Sequence, residues 1–298
     1  MERRRLGTTD MDVSVLGFGG SEIGFEDASL ETVSRLLASA LDAGLNVIDT
    51  AECYRESEEL IGRAVSTRRT DYHLFTKCGH FEGTGRDDWR PESLLRSIER
   101  SLRRLRTGHV DLLQLHSCSE AELRKGAVIE VLQAARQRGY TRYIGYSGDG
   151  PAARYAIECG GFDTLQTSVN IADQEALELT LPLASARQIG LIAKRPIANA
   201  AWRTRTRPAN HYLHTYWERL RTLDYEFLRG PTAEAVATAL RFTLSVAGVH
   251  TAIVGTANPR RWPENAALLA AGPLPPAEIE RIRRRWREVA EAGWVGQT

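Results

Sequence analysis

Leu45-Asn-Val-Ile-Asp-Thr50, Tyr72-His-Leu-Phe-Thr-Lys77 and Val110-Asp-Leu-Leu-Gln-Leu-His116 are three runs of strand length. Each is mostly apolar and ends at or near an ionisable residue. Buried parallel strands read as near-continuous apolar runs, and in barrels of such strands the chemistry gathers at the carboxyl-terminal rim. Tyr54 follows the first run by one short turn. Asp49, Tyr54, Lys77 and His116 therefore form the candidate site.

Working outward, runs of the same kind recur near 13–19, 141–147, 164–170, 190–195 and 251–255, giving eight strands with the three above. Amphipathic helical patterns lie between them, at 30–44, 91–106, 127–139, 151–158, 181–188, 232–246 and 259–270. In the second, Pro91 sits in the first turn and Leu94, Leu95, Ile98, Leu102 and Leu105 share one face. Gly44, Gly139 and Gly190 are expected to stop the preceding helices. Eight alternations of strand and helix specify a parallel sheet, and eight strands close a (β/α)8 TIM barrel. Neither a repeat nor a linker divides the chain, so residues 1–298 read as one domain.

One interval is too long for a loop and a helix. After the seventh strand, residues 200–230 form an insert rich in arginine and aromatics (Trp202, Tyr212, Tyr216, Trp217, Tyr225, Phe227). Helical periodicity runs through 216–228. The insert leaves the carboxyl end of its strand, so it is either a helix packed on the barrel wall or a lid over the mouth. A final helix over 275–293 carries Arg281, Arg283, Arg284, Arg285 and Arg287, which without interleaved aromatics read as a solvated face.

Composition narrows the function classes. A formal charge of +1 gives no field to gather nucleic acid or an anionic membrane. No apolar run reaches a membrane span, and Met1-Glu-Arg-Arg-Arg-Leu-Gly7 lacks a signal peptide's apolar segment, so a cytoplasmic protein is expected. Cys53, Cys78, Cys118 and Cys159 show no CxxC spacing, which points to small packed thiols or a redox-sensitive site, not to zinc. Among many arginines the only lysines are Lys77, Lys125 and Lys194. Two of these end strands, where a titratable point charge has a use arginine cannot serve.

A free tyrosine has a pKa of about 10, and a nearby ammonium lowers it. Lys77 is expected to supply that charge to Tyr54, Asp49 to hold Lys77 in place, and His116 to orient a substrate oxygen. Such a set suits protonating an oxygen as it becomes an alkoxide, or the reverse. The competing reading is a buried ion pair joining two strands, but such pairs stabilise poorly on their own.

These residues and their neighbours resemble the aldo-keto reductase family almost end to end. The likeness is carried by Arg5-Leu-Gly-Thr-Thr9, Leu16-Gly-Phe-Gly-Gly20, Asn46-Val-Ile-Asp-Thr-Ala-Glu-Cys-Tyr54 and Ser57-Glu-Glu-Leu-Ile-Gly62. Thr76-Lys77, Ser101-Leu-Arg-Arg-Leu105 and the run ending at His116 continue it. The resemblance implies hydride exchange between NADP(H) and a small-molecule carbonyl or alcohol, with Asp49, Tyr54, Lys77 and His116 as the catalytic tetrad. It also implies a nicotinamide site at Ser147, Gln166 and Asn170, with Gly20 among the cofactor contacts. The adenosine 2′-phosphate and adenine would meet Thr256, Asn258, Arg261, Glu264 and Asn265, near the start of a helix following Pro259. Arg261 favours NADP(H) over NAD(H). The pattern is broken at Gly148, where an asparagine usually stands, and at Gly255, where a lysine is frequent. It is broken again at Lys194-Arg195, where the family commonly places an aromatic to stack on the nicotinamide. These two cations would face the ring, bind pyrophosphate or an acidic substrate, or point away.

Three other readings compete. A Rossmann dehydrogenase would need a third glycine where Glu22 stands. A metal-dependent barrel hydrolase could draw on Cys78, His80, His116 and Cys118, but neither an HxH nor an HExxH pair is present. A non-catalytic barrel that binds cofactor as a subunit or sensor would not need the intact tetrad. The substrate pocket is expected to draw on 21–25, 80–89, the loop after His116 and the insert.

Overall fold

The protein is described by a computed structural model over residues 1–80 and 87–297. Two short antiparallel strands open the chain, β1 (Arg3–Arg5) and β2 (Asp12–Ser14). Eight parallel strands follow: β3 (Leu16–Gly19), β4 (Val47–Asp49), β5 (His73–Cys78), β6 (Val110–His116), β7 (Thr141–Ser147), β8 (Thr164–Ser168), β9 (Gly190–Lys194) and β10 (Thr251–Gly255). They pair in chain order, and β10 pairs with both β9 and β3 to close the barrel.

The opening hairpin is a feature the sequence pattern hides. Residues 13–14 belong to it and not to the first barrel strand. Leu6, Met11 and Val13 are fully buried and pack with Val47, Phe75, Leu112, Ile192 and Ile253, so the hairpin seals the barrel interior from below. A larger apolar shell lies between sheet and helices and includes Leu36, Leu94, Ile98 and Leu132. The helix Pro91–Arg104 buries Leu94, Ile98 and Leu102, as its periodicity requires.

Other boundaries differ from expectation for local reasons. A helix at Ser57–Val65 adds to the expected set. Gly44 and Gly139 take positive φ (96° and 77°) and end helices as C′ residues. Gly190 does not: Gln188 takes the left-handed conformation at φ 54°, and Gly190 is already the first residue of β9. It has no side chain because Leu6 packs where a Cβ would go.

The insert after β9 holds the helix His214–Leu223 and short 3₁₀ turns. The helix stops earlier than periodicity suggests, because Asp224 turns left-handed (φ 47°). Tyr216, Leu220, Leu223 and Tyr225 pack with Ile282 and Trp286 of the helix Pro276–Val289 and with Ala239 and Phe242, forming a second apolar cluster. No helix among the described residues is long and apolar enough to cross a membrane.

Candidate active site

Strand register sets the first half of the site. Asp49 ends β4, Lys77 lies in β5 opposite Gln114 of β6, and His116 ends β6 opposite Ser147, which in turn faces Gln166. Their side chains therefore follow one another around the rim. Lys77 Nζ donates to Asp49 Oδ2 at 2.5 Å and to the Thr50 carbonyl at 2.9 Å. Both side chains of the pair are 2% exposed. The amides of Gln114 and Gln166 donate to Asp49 Oδ1 and Oδ2, each at 3.3 Å. Burial pushes the Asp49 carboxyl up, against the pull of the Lys77 ammonium and these amides.

Tyr54 is held over this pair by its loop. The Glu52 amide donates to the Lys77 carbonyl, the Tyr54 amide to Ala51 and the Ser57 amide to Tyr54. Ser57 Oγ ties the same loop to the Gly20 carbonyl at 2.7 Å and lies 2.9 Å from Thr50 Oγ1. Gly24 has no Cβ because the Tyr54 carbonyl occupies that space. The Lys77 ammonium lies 5.2 Å from the Tyr54 ring centroid. His116 meets the same ring edge-on, with centroids 5.8 Å apart, and its Nδ1 lies 3.5 Å from Cys53 Sγ. The four sequence-selected residues thus converge.

The direction of the Tyr54 shift corrects an expectation. Burial, and then the Asp49 carboxylate, push the phenol well above its ordinary value. Lys77 does not reverse this, because its charge is already matched by Asp49 at contact distance. Burial likewise drives His116 well below the ordinary histidine range, reinforced by Lys77, His80, Lys194 and Arg195. At neutral pH the site thus presents a protonated phenol and a neutral imidazole.

Aromatic rings wall the mouth. Phe25 contacts Tyr54 at 5.9 Å, His80 contacts His116 at 4.9 Å, and Trp89 contacts His80 at 5.8 Å. The stretch 81–86 of the expected pocket lies outside the described residues. Cys78 and Cys118 are buried thiols pushed up to about 12, which keeps them inert. Among the described residues no three His, Cys, Asp or Glu side chains cluster as a metal site.

The other half of the mouth is built on β7 to β10. Ser147, Gln166 and Asn170 are buried. Among the described residues, Gln166 Oε1 and Asn170 Nδ2 have no hydrogen-bond partner. Lys194 Nζ pairs with Asp149 Oδ2 at 2.7 Å, and Asp149 Oδ1 accepts from Thr167 Oγ1 and the Ser168 amide. Arg195 donates to Tyr212 Oη at 2.7 Å and to Ser168 Oγ at 3.1 Å. The side chains at 194–195 thus stay at the mouth. Gly20 gives its amide to the Asp49 carbonyl.

Near β10, Thr256 Oγ1 accepts from the Asn258 amide, and Asn258 Oδ1 accepts from the Arg260 amide ahead of the helix Arg261–Leu268. Arg261 and Glu264 are exposed and paired at 3.3 Å, whereas Asn265 is buried. The Glu22 carboxyl fills the space over Gly255. Asp149 was not legible as a site residue, since only the fold shows its partner Lys194; Glu22 and Tyr212 fall within the expected pocket segments, and the fold adds their partners at Gly255 and Arg195.

The chain matches the Aldo/keto reductase family over residues 15–287. It belongs to that family. Its structure superposes on the holo form of aldo-keto reductase AKR11C1 from Bacillus halodurans with a TM-score of 0.85, at 26% identity and over 99% of both chains. Among curated sequences this aldo-keto reductase is 26% identical to the oxidoreductase YqkF of Bacillus subtilis, over 97% of each chain. It is 27% identical to L-galactose dehydrogenase of Arabidopsis thaliana, over 90% of this chain and 88% of that one. An oxidoreductase on a TIM barrel is what the family and the fold establish.

Proposed function

We propose that this aldo-keto reductase reduces a small aldehyde or ketone, or oxidises the matching alcohol, with NADP(H), and that residues 1–298 work as one domain. The observation that carries the reading is the sealed Lys77–Asp49 pair beneath the Tyr54 ring, with His116 across from it. A buried ion pair is a costly way to join two strands and a useful way to fix a proton donor. Tyr54, protonated at neutral pH, donates its hydroxyl proton to the carbonyl oxygen as that oxygen becomes an alkoxide, a far stronger base than a phenolate. The Lys77 ammonium, fixed in place by Asp49, then faces the phenolate that remains. The neutral His116 imidazole orients the substrate oxygen.

The nicotinamide, when bound, supplies the hydride. Among the described residues Gln166 Oε1 is an unpaired buried acceptor and Asn170 Nδ2 an unpaired buried donor, the complement of a primary carboxamide. Ser147 lies beside Gln166 in register, and Gly20 borders the same rim. Lys194 and Arg195 add positive charge for a phosphate-bearing ligand. Thr256, Asn258, Arg261, Glu264 and Asn265 would take the adenosine end, with Arg261 leaving Glu264 to meet a 2′-phosphate.

A relative at 29% identity over 61% of this chain is named an NADH-specific methylglyoxal reductase, so the choice of dinucleotide needs its own test. Titration with NADPH and NADH decides it: Arg261→Ala should weaken NADPH binding roughly tenfold and leave NADH unchanged. Turnover of NADPH with a panel of aldehydes and ketones tests the chemistry. Equal rates for the native chain and Tyr54→Phe, or no turnover by either, would favour a cofactor-binding barrel without this acid.

A further inference from the structure

Residues 294–297 do not fray. They lie in the mouth, and side chains of the barrel hold their backbone. The Val295 carbonyl accepts from Arg219 Nη2 at 2.7 Å, the Gly296 amide donates to Glu175 Oε2 at 2.6 Å, and the Gln297 amide donates to Asp173 Oδ2 at 3.3 Å. The Gln297 carbonyl accepts from both Arg195 Nη1 and Ser168 Oγ. Trp294 packs edge-on against Trp286 and under the Arg219 guanidinium. Gly296 passes so close to Asp149 that a Cβ there would overlap the carboxylate side chain. Unanchored segments at a domain's edge are ordinarily mobile, whereas the backbone of this one makes five hydrogen bonds to side chains at the ends of β8 and β9, in the segment after β8 and on the helix His214–Leu223.

Arg195 is the informative partner. Among the described residues it has no carboxylate within ion-pair distance: its acceptors are two hydroxyls and this one peptide carbonyl. It stands on the rim that carries Lys194 and the unpaired amide atoms of Gln166 and Asn170. A guanidinium satisfied only by neutral groups binds an anion more strongly than the carbonyl it holds meanwhile. The carbonyl of Gln297 thus occupies a contact of Arg195 that suits an anion better.

We propose that residues 294–297 are a strap that closes the β8–β9 side of the mouth and must leave Arg195 and Ser168 when a nicotinamide dinucleotide binds. The inference rests on the cofactor reading above. A strap closed about nine-tenths of the time would raise the apparent dissociation constant about tenfold, because only the open fraction is competent.

Gly296→Val tests it, since the added side chain meets Asp149 and expels the strap without altering a group offered to the cofactor. NADPH dissociation constants are read by fluorescence titration of the full chain, and amide exchange of Gly296 and Gln297 is followed with and without NADPH. The expected result is about tenfold tighter binding by Gly296→Val and loss of protection at both amides when NADPH is added to the native chain. Trp294→Ala, which removes the Trp286 contact instead, should tighten binding in the same direction and guards against a variant that misfolds. Unchanged or weaker binding in both folded variants, or amides that gain protection with NADPH, would overturn the strap while leaving the cofactor reading intact. Failure of the native chain to bind NADPH or NADH at all would overturn both.

Discussion

Lys77–Asp49 and Lys194–Asp149 are both lysine–aspartate pairs on the rim of one barrel, 2.5 and 2.7 Å long, yet they are built for different work. The first is closed on every side. Its cation also bonds the Thr50 carbonyl, its anion takes amides from Gln114 and Gln166, and both side chains are 2% exposed. The second keeps its lysine 12% exposed. Burial lowers Lys194, while the Lys194 ammonium, the Ser168 amide and Arg195 overcome burial to hold Asp149 below its usual value. Its neighbours are residues able to exchange partners: Arg195 on a peptide carbonyl, and Asp173 under the strap. A fixed charge centre suits a proton donor that must not move, and an exchangeable one suits a ligand that arrives and leaves.

Breaking the fixed half should cost most. Tyr54→Phe is expected to slow single-turnover reduction by roughly 10²- to 10⁴-fold with NADPH binding unchanged, since it removes one positioned acid and little else. Lys77→Met leaves Asp49 buried without its cation, and urea unfolding should report a loss of about 3–5 kcal/mol together with loss of turnover. Adding Asp49→Leu to that variant should recover most of the stability and none of the activity. Recovery of both would show that the pair only joins strands.

The exchangeable half should respond to pH and to ligand. Burial, then the neighbouring Asp149, raise Asp173 to about 7. A carboxyl raised on folding contributes stability at low pH that is lost as pH climbs towards its folded value. Between pH 5 and 8 the native chain should therefore lose on the order of 2 kcal/mol more stability than Asp173→Asn. Parallel pH–stability curves for the two would remove this titration from the account. Arg195→Ala should change least, weakening NADPH binding about tenfold with little effect on folding. Equal binding would confine this half of the mouth to structure.

The same contrast explains what could be read in the sequence. The barrel was legible because each strand is a continuous apolar run, and the fixed half because Asp49, Lys77 and His116 each end such a run. The opening hairpin was not, since Arg3–Arg5 and Asp12–Ser14 are too short to show a period. The exchangeable half depends on partners brought together from far along the chain, as Lys194 is to Asp149 and Arg195 to Gln297. The sign of the Tyr54 shift was hidden for a related reason. Charge type is written in the sequence, whereas the depth of burial that outweighs it is a property of the packed mouth.

The pH profile of the single-turnover rate with NADPH and a small aldehyde tests most directly which group delivers the proton. With Tyr54 raised and His116 neutral, reduction should stay level from about pH 6 to about pH 9 and fall only in strong alkali, and that alkaline fall should vanish in Tyr54→Phe. A fall centred near the ordinary histidine value of about 6.5, kept in Tyr54→Phe, would contradict the account and give the proton to His116.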